Sequence, residues 1–209
     1  MKKFTDIELI KLNSQLRGVA PSEIIQWVLS SSDKPVVTTN FRPYEAAILH
    51  ACAKVDPNIK VIWCDTGYNT PQTYKHAKFL IEQLKLNVKL YTPKETTAYR
   101  DAFFNGIPQV DSPEHEEFTR QVKLEPFQRA MAQQTPDIWF TNLRKGQTSF
   151  RDSIDILSYS KEGVLKVSPF YHWGDEKLDG YLRENRLPNE FKYFDPTKVL
   201  DNRECGLHA

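Results

Sequence analysis

Cysteine is scarce: Cys52, Cys64 and Cys205 are the three in 209 residues. That is too few for a disulfide scaffold. The absence of any CxxC spacing also argues against a zinc or iron–sulfur site built from cysteine alone. In a reducing compartment, scattered cysteines are buried apolar thiols or include one reactive thiol. No apolar run approaches the ~20 residues of a membrane-spanning helix. An excess of charge of one sign is lacking as well, since 28 Lys plus Arg against 27 Asp plus Glu leave +1. This excludes a chain held on long duplex nucleic acid by bulk charge and leaves room for a local basic pocket. Internal repeats and low-complexity segments are absent. The chain opens with two lysines as a signal peptide does, but Asp6, Glu8 and Lys11 interrupt Ile7, Ile10, Leu12 and Leu16. The segment reads as an amphipathic helix capped near Thr5 or Asp6 and stopped by Gly18, and a cytoplasmic location is expected.

Hydrophobic residues at 40% and charged residues at 26% are enough for a core, and the length suits one α/β domain with a short appendage. Strands are expected at 35–39, 60–64, 87–91, 137–141 and 163–167. Between them helices are expected at 43–52, 70–85, 117–134 (interrupted near Pro126) and 175–186. Such alternation predicts a mostly parallel sheet flanked by helices. Ligands of such sheets sit beyond the carboxyl ends of the strands. Three segments qualify: Thr39 to Arg42, Asp65 to Tyr68, and Asn142 to Gln147. Residues 105–119, with two prolines, a glycine and four acidic residues, read as a surface loop.

Individual residues carry sharper hypotheses, each with a plainer alternative. Cys205 sits between Arg203 and His208, cations that would lower a thiol pKa, and beside Gly206, which permits close approach. It could equally be an idle cysteine in a polar tail. Cys52 and Cys64 fall on apolar patterns and read as core. Asp65-Thr66-Gly67 after a buried strand could bind ribose or an amino group, or be an ordinary turn. Arg144, Lys145, Gln147, Ser149 and Arg151 offer forked and neutral donors to phosphate or sulfate, or form a solvated loop. Lys123, in Lys-Leu-Glu-Pro, could reach an anion or merely precede a kink.

Taken in order, Asp65-Thr66-Gly67-Tyr68, Lys123-Leu124-Glu125-Pro126 with Arg129-Ala130, Trp139 to Arg144 with Gln147 and Arg151, and the terminal Glu204-Cys205-Gly206-Leu207-His208 resemble the phosphoadenylyl sulfate (PAPS) reductase family. That family lies in the adenine nucleotide α-hydrolase-like group. The resemblance spans about 36–177 and the last few residues. It implies a nucleotide-binding α/β domain over 1–187, with 1–32 as its N-terminal helical part, and a catalytic tail over 188–209. It implies a cytoplasmic, homodimeric enzyme of sulfate assimilation. Cys205 would attack the sulfur of PAPS, adenosine 3′,5′-bisphosphate would leave, and thioredoxin or glutaredoxin would release sulfite from the S-sulfonate. No metal, flavin, iron–sulfur cluster, membrane or nucleic-acid polymer is implied. Substrate contacts carry over to Thr38, Thr39, Asn40, Phe41, Asp65, Thr66, Gly67, Lys123, Arg144, Gln147, Ser149, Arg151, Arg203 and His208.

This chain departs from the family pattern twice. The first loop ends in Phe41-Arg42 where the family has Phe-Gly, and the segment before the tail is short and lacks a Gly-Tyr…Gly-Asp stretch. A related sulfonucleotide or adenylyl-chemistry enzyme, such as an adenylyl sulfate reductase without a cluster, is one alternative. A nucleotide-binding relative without turnover is another.

Overall fold

A computed structural model of the chain describes residues 3–110 and 112–197. The N-terminal helical part forms α1 (Asp6–Leu16) and α2 (Pro21–Leu29). There follow β1 (Pro35–Thr39), α3 (Glu45–Val55), β2 (Lys60–Cys64), α4 (Pro71–Leu84), β3 (Asn87–Tyr91) and α5 (Thr97–Phe104). The second half holds α6 (Pro113–Thr119), a π-helical turn (Arg120–Leu124), α7 (Glu125–Gln134), β4 (Ile138–Phe140), α8 (Ser149–Asp152), β5 (Leu157–Tyr159), β6 (Leu165–Val167) and α9 (Asp175–Glu184). Among the described residues no helix is long and apolar enough to cross a membrane.

The strands form one sheet in the order β3-β2-β1-β4-β6-β5. All pairs are parallel except β5 with β6. Strand alternation assigns side chains to two faces. Val37, Val61, Trp63 and Phe140 point to the larger core, shared with Ile24, Ile25 and Val28 of α2, Ile48 and Leu49 of α3, Leu80 of α4, and Leu178 of α9. Val36, Ile62, Cys64 and Trp139 point the other way, onto Ala130, Phe127 and Met131 of α7. Both faces are thus covered, which is why these strands read as apolar runs rather than as alternating ones.

Two sequence expectations change, and a third gains its physical cause. Within α1, Leu12 and Leu16 pack on the core as expected, but Ile7 and Ile10 are 81% and 70% exposed. The inward residue there is Asn13, whose carboxamide donates to Leu157 O (3.0 Å) and accepts from Leu157 N (2.8 Å). It satisfies the outer edge of β5, a three-residue strand too short to announce itself in the sequence. Residues 105–119 are not loop throughout: Ser112 accepts from His115 N (3.2 Å) and Pro113 opens α6, whose His115 and Phe118 are buried. The interruption near Pro126 is the π turn just ahead of it. Proline has no N–H for the Val122 carbonyl, and the widened turn closes instead through Glu125 N to Arg120 O.

Asn13→Ala would orphan one donor and one acceptor on the β5 edge. The expected loss is ~1–3 kcal/mol of unfolding free energy, read by urea denaturation. Ile10→Ala on the solvent face of the same helix should change it by less than ~0.5 kcal/mol.

Candidate active site

Strand β1 pairs with β2 on one side and β4 on the other, so chain order reverses beside it. Loops leaving β1 and β4 diverge there and leave a crevice at the carboxyl ends of the strands. Thr38, Thr39, Asn40, Lys123, Thr141 and Asn142 line it, with Phe127 and Trp139 as an apolar wall. Thr38, Thr39, Asn40 and Lys123 among the sequence-derived candidates therefore meet in one place.

The first loop is drawn around a residue the sequence reading missed. Glu45, the first residue of α3, has a side chain only 5% exposed. Its carboxylate accepts from the Thr39 hydroxyl (2.8 Å), Asn40 N (2.8 Å), Arg42 N (3.3 Å) and Arg42 Nε (2.6 Å). Phe41 and Tyr44 hold left-handed backbone, φ 54° and 67°, to make the turn. The Phe41 ring is fully buried edge-on to Trp63 (centroids 4.9 Å apart), so only its main chain faces the loop. The one sequence signal for Glu45 was an acid in the first turn of a helix begun by Pro43.

The second loop is self-contained. Asp65 accepts from Gly67 N (2.9 Å), Asn69 Nδ2 (2.9 Å) and the Tyr74 hydroxyl (3.0 Å). Burial, reinforced by the Asp65 charge, pushes the Tyr74 phenol up to about 12. Gly67 is left-handed at φ +81°, and a Cβ there would lie 2.5 Å from Thr97 Oγ1. Beneath the turn Arg100, 2% exposed, donates to Thr66 O (3.3 Å) and Glu95 O (2.6 Å). The Asp65-Thr66-Gly67 turn is thus held by its own hydrogen bonds and is not part of the crevice lining.

Lys123 points inward from the π turn and is 2% exposed. Its ammonium pairs with Asp195 in a short, buried ion pair and donates to the Thr197 hydroxyl (3.0 Å). Burial raises the Asp195 carboxyl, but the Lys123 charge and the hydrogen bonds from Lys123 and Thr197 outweigh it and hold the group below its ordinary value. The stretch that supplies Asp195 crosses the strand ends. Asn189 Oδ1 accepts from Tyr44 N (2.8 Å), Lys192 O from the Thr70 hydroxyl (2.7 Å), and the Pro196 carbonyl meets His115 Nε2 (3.2 Å).

Beyond β4 lies a separate cationic group. Arg144 pairs with Asp175 (2.5 Å) and lies 5.0 Å from the Tyr44 ring centroid. Gln147 Oε1 accepts from Arg144 N (3.3 Å) and from the Arg151 guanidinium in a short bond. Ser149 begins the short α8. Arg203, Cys205 and His208 lie outside the described residues. Of the two described cysteines, Cys64 lines the crevice, but burial pushes its thiol up to about 12, and burial raises Cys52 further still. Both are neutral near pH 7 and poor nucleophiles. The Asn142 carboxamide oxygen is buried at the crevice wall without a hydrogen-bond partner among the described residues. It suits a donor such as an exocyclic amine. Among the described residues no group of three or more His, Cys, Asp or Glu is arranged to hold a metal ion.

Residues 34–193 match the family model for the phosphoadenosine phosphosulfate reductase domain. A phosphoadenosine 5′-phosphosulfate reductase of Aliivibrio salmonicida is 32% identical over 185 residues, which is 87% of this chain and 72% of that protein. Two solved structures share the fold. One is a PAPS reductase from Candida auris in complex with phosphate, with a TM-score of 0.78, 23% identity, and 90% of both chains covered. The other is an NH3-dependent NAD synthetase from Campylobacter jejuni, with a TM-score of 0.53, 13% identity, and 86% of this chain and 74% of that one covered. The expected mostly parallel sheet flanked by helices is the one observed.

Removing one partner of the buried Lys123–Asp195 pair leaves an uncompensated charge. Asp195→Ala should cost ~3–5 kcal/mol in urea unfolding, and the double variant Lys123→Met with Asp195→Leu should recover much of it. Because Asp195 is held below its ordinary value of 3.8, its contribution is complete above that pH. It is lost as pH falls below 3.8 through the folded-state value, so the stability gap between wild type and Asp195→Ala should narrow there.

Proposed function

The chain belongs to the phosphoadenosine phosphosulfate reductase family, and from that premise we propose that it reduces 3′-phosphoadenylyl sulfate to sulfite and adenosine 3′,5′-bisphosphate. The observation that carries this reading is the crevice at the β1/β4 reversal, with Lys123 in its wall and Asn189, Lys192 and Asp195 tied to the loops after β1 and β2 and to Lys123. The adenosine would rest against the apolar wall of Phe127 and Trp139, with its amino group near the open acceptor of Asn142. Its anionic groups would be met by the Arg144–Gln147–Arg151 group, whose forks suit phosphate and sulfate oxygens, with Lys123, paired to Asp195, assisting from the wall.

In this proposal the nucleophile is Cys205. It is the eighth residue beyond Thr197. An extended chain covers at most ~3.3–3.6 Å per residue, so the thiol can reach the crevice from the anchored Asp195 stretch. Its thiolate attacks the sulfur, the S–O bond to the phosphate breaks, and the bisphosphate leaves with the electron pair. The S-sulfonate on Cys205 is then attacked at its inner sulfur by a thiolate of thioredoxin or glutaredoxin. Sulfite departs, and the partner's second thiol resolves the mixed disulfide. The neutral state of Cys52 and Cys64 supports this assignment by leaving no thiolate among the described residues. The cytoplasmic homodimer implied by the family resemblance belongs to the same proposal.

Incubation with PAPS followed by peptide mass spectrometry should find one added sulfonate on Cys205. It should be absent in Cys205→Ser and retained in Cys52→Ser and Cys64→Ser. Sulfite formation by Cys205→Ser at the normal rate would remove Cys205 from the mechanism. In calorimetric titration with adenosine 3′,5′-bisphosphate, Arg144→Ala and Arg151→Ala should each bind roughly ten- to a hundred-fold more weakly, the loss of one charge-assisted contact. Unchanged affinity in both places the anions elsewhere.

A further inference from the structure

The turn from a strand into a helix N-terminus is a ready seat for a nucleotide's phosphates, because main-chain N–H groups and the helix dipole converge on it. In this chain the seat after β1 is taken. Two main-chain N–H groups, a hydroxyl and a guanidinium already donate to the Glu45 carboxylate. The Phe41 N–H is used too, donating to Thr39 Oγ1 (2.9 Å). We propose that Glu45 is a built-in anion that closes the first loop to phosphate and thereby determines which nucleotides the crevice accepts.

Two physical consequences follow. A phosphate approaching this loop finds its donors spent and meets a buried negative charge of its own sign. The anionic groups of any ligand are therefore directed to the cations beyond β4, where the carboxylate held by Arg144 is exposed. A nucleotide whose polyphosphate chain must lie along the first loop, such as a nucleoside triphosphate, is rejected. One with short anionic arms is not. Arg42 belongs to the same device: where a glycine would open the loop to an outside anion, the arginine ties the inside one down at 2.6 Å. The closure of the loop rests on its geometry alone. That it selects among nucleotides rests on reading the crevice as a nucleotide site.

The test separates these two parts. Glu45→Ala vacates the seat, and inorganic phosphate should then raise its melting temperature saturably. Wild type and an exposed-acid control, Glu82→Ala on α4, should show no such rise. In calorimetric titrations ATP should bind Glu45→Ala at least about tenfold more tightly than wild type. Any change in the affinity for adenosine 3′,5′-bisphosphate should be smaller than the gain for ATP. If Glu45→Ala does not fold, Glu45→Ser also empties the seat and should show the same gain for ATP. Equal stabilisation of wild type and Glu45→Ala by phosphate, or ATP binding equally to both, overturns the proposal. Phosphate rescue without binding of either nucleotide upholds the closed loop and fails the nucleotide reading instead.

Discussion

A lysine cannot stay charged in a protein interior without an opposite charge, and the end of this chain is arranged around that constraint. Lys123 is carried inward by a π turn that exists because Pro126 has no N–H to offer the turn before it. Once inward, it requires a carboxylate, and Asp195 arrives from 72 residues later to supply it. To do so the chain after α9 must cross the strand ends, touching the loops after β1 and β2 on the way. One electrostatic requirement thus sets the course of the segment that leads toward the terminal cysteine.

Pairing of cations with the chain's own carboxylates recurs around the crevice. Arg42 is held by Glu45, Lys123 by Asp195 and Arg144 by Asp175. The three pairs differ in burial. Glu45 and Asp195 are each 5% exposed at the side chain, whereas Asp175 is 64% exposed. A buried carboxylate is displaced only at the cost of finding it another donor, while an exposed one returns to water easily. Arg144 is therefore the cation most readily transferred to an incoming anion, and Arg42 and Lys123 define the walls.

How much of this was legible depended on range. Strands β1 and β2 stand out because both faces are covered, which writes them as nearly uninterrupted apolar and β-branched runs. Strand β5 did not, since three residues at an edge carry no period, and its outer side is satisfied by Asn13, 144 residues away. Ser112-Pro113 is a readable helix start that the acidic, proline-containing composition of 105–119 obscured. The sequence groups Phe41 with polar neighbours, but a residue in such a loop can spend its side chain on the core, as Phe41 does. The rule that polar turns gather beyond the carboxyl ends of strands places Thr39, Asn40 and Asn142 at one crevice, while Lys123 reaches it from a π turn between two helices. What it could not carry was pairing across the chain: Lys123 with Asp195 is tertiary information, and so is the wrapping of the first loop around Glu45.

The contact between Asn13 and Leu157 also bears on self-association. A sheet has two outer strands, and an uncovered one offers its N–H and C=O groups to any other extended chain. Here one border is β5, where a side chain from α1 takes up both main-chain groups of Leu157. The other is β3, whose Lys89 and Leu90 are exposed. There a lysine stands beside an apolar residue, and burying that charge against another strand is costly. The amino-terminal helix therefore acts as a shutter on one border of the sheet, and a charge guards the other. Proteolytic loss of the first turns of the chain would not touch the crevice. It would open a border for edge-to-edge aggregation.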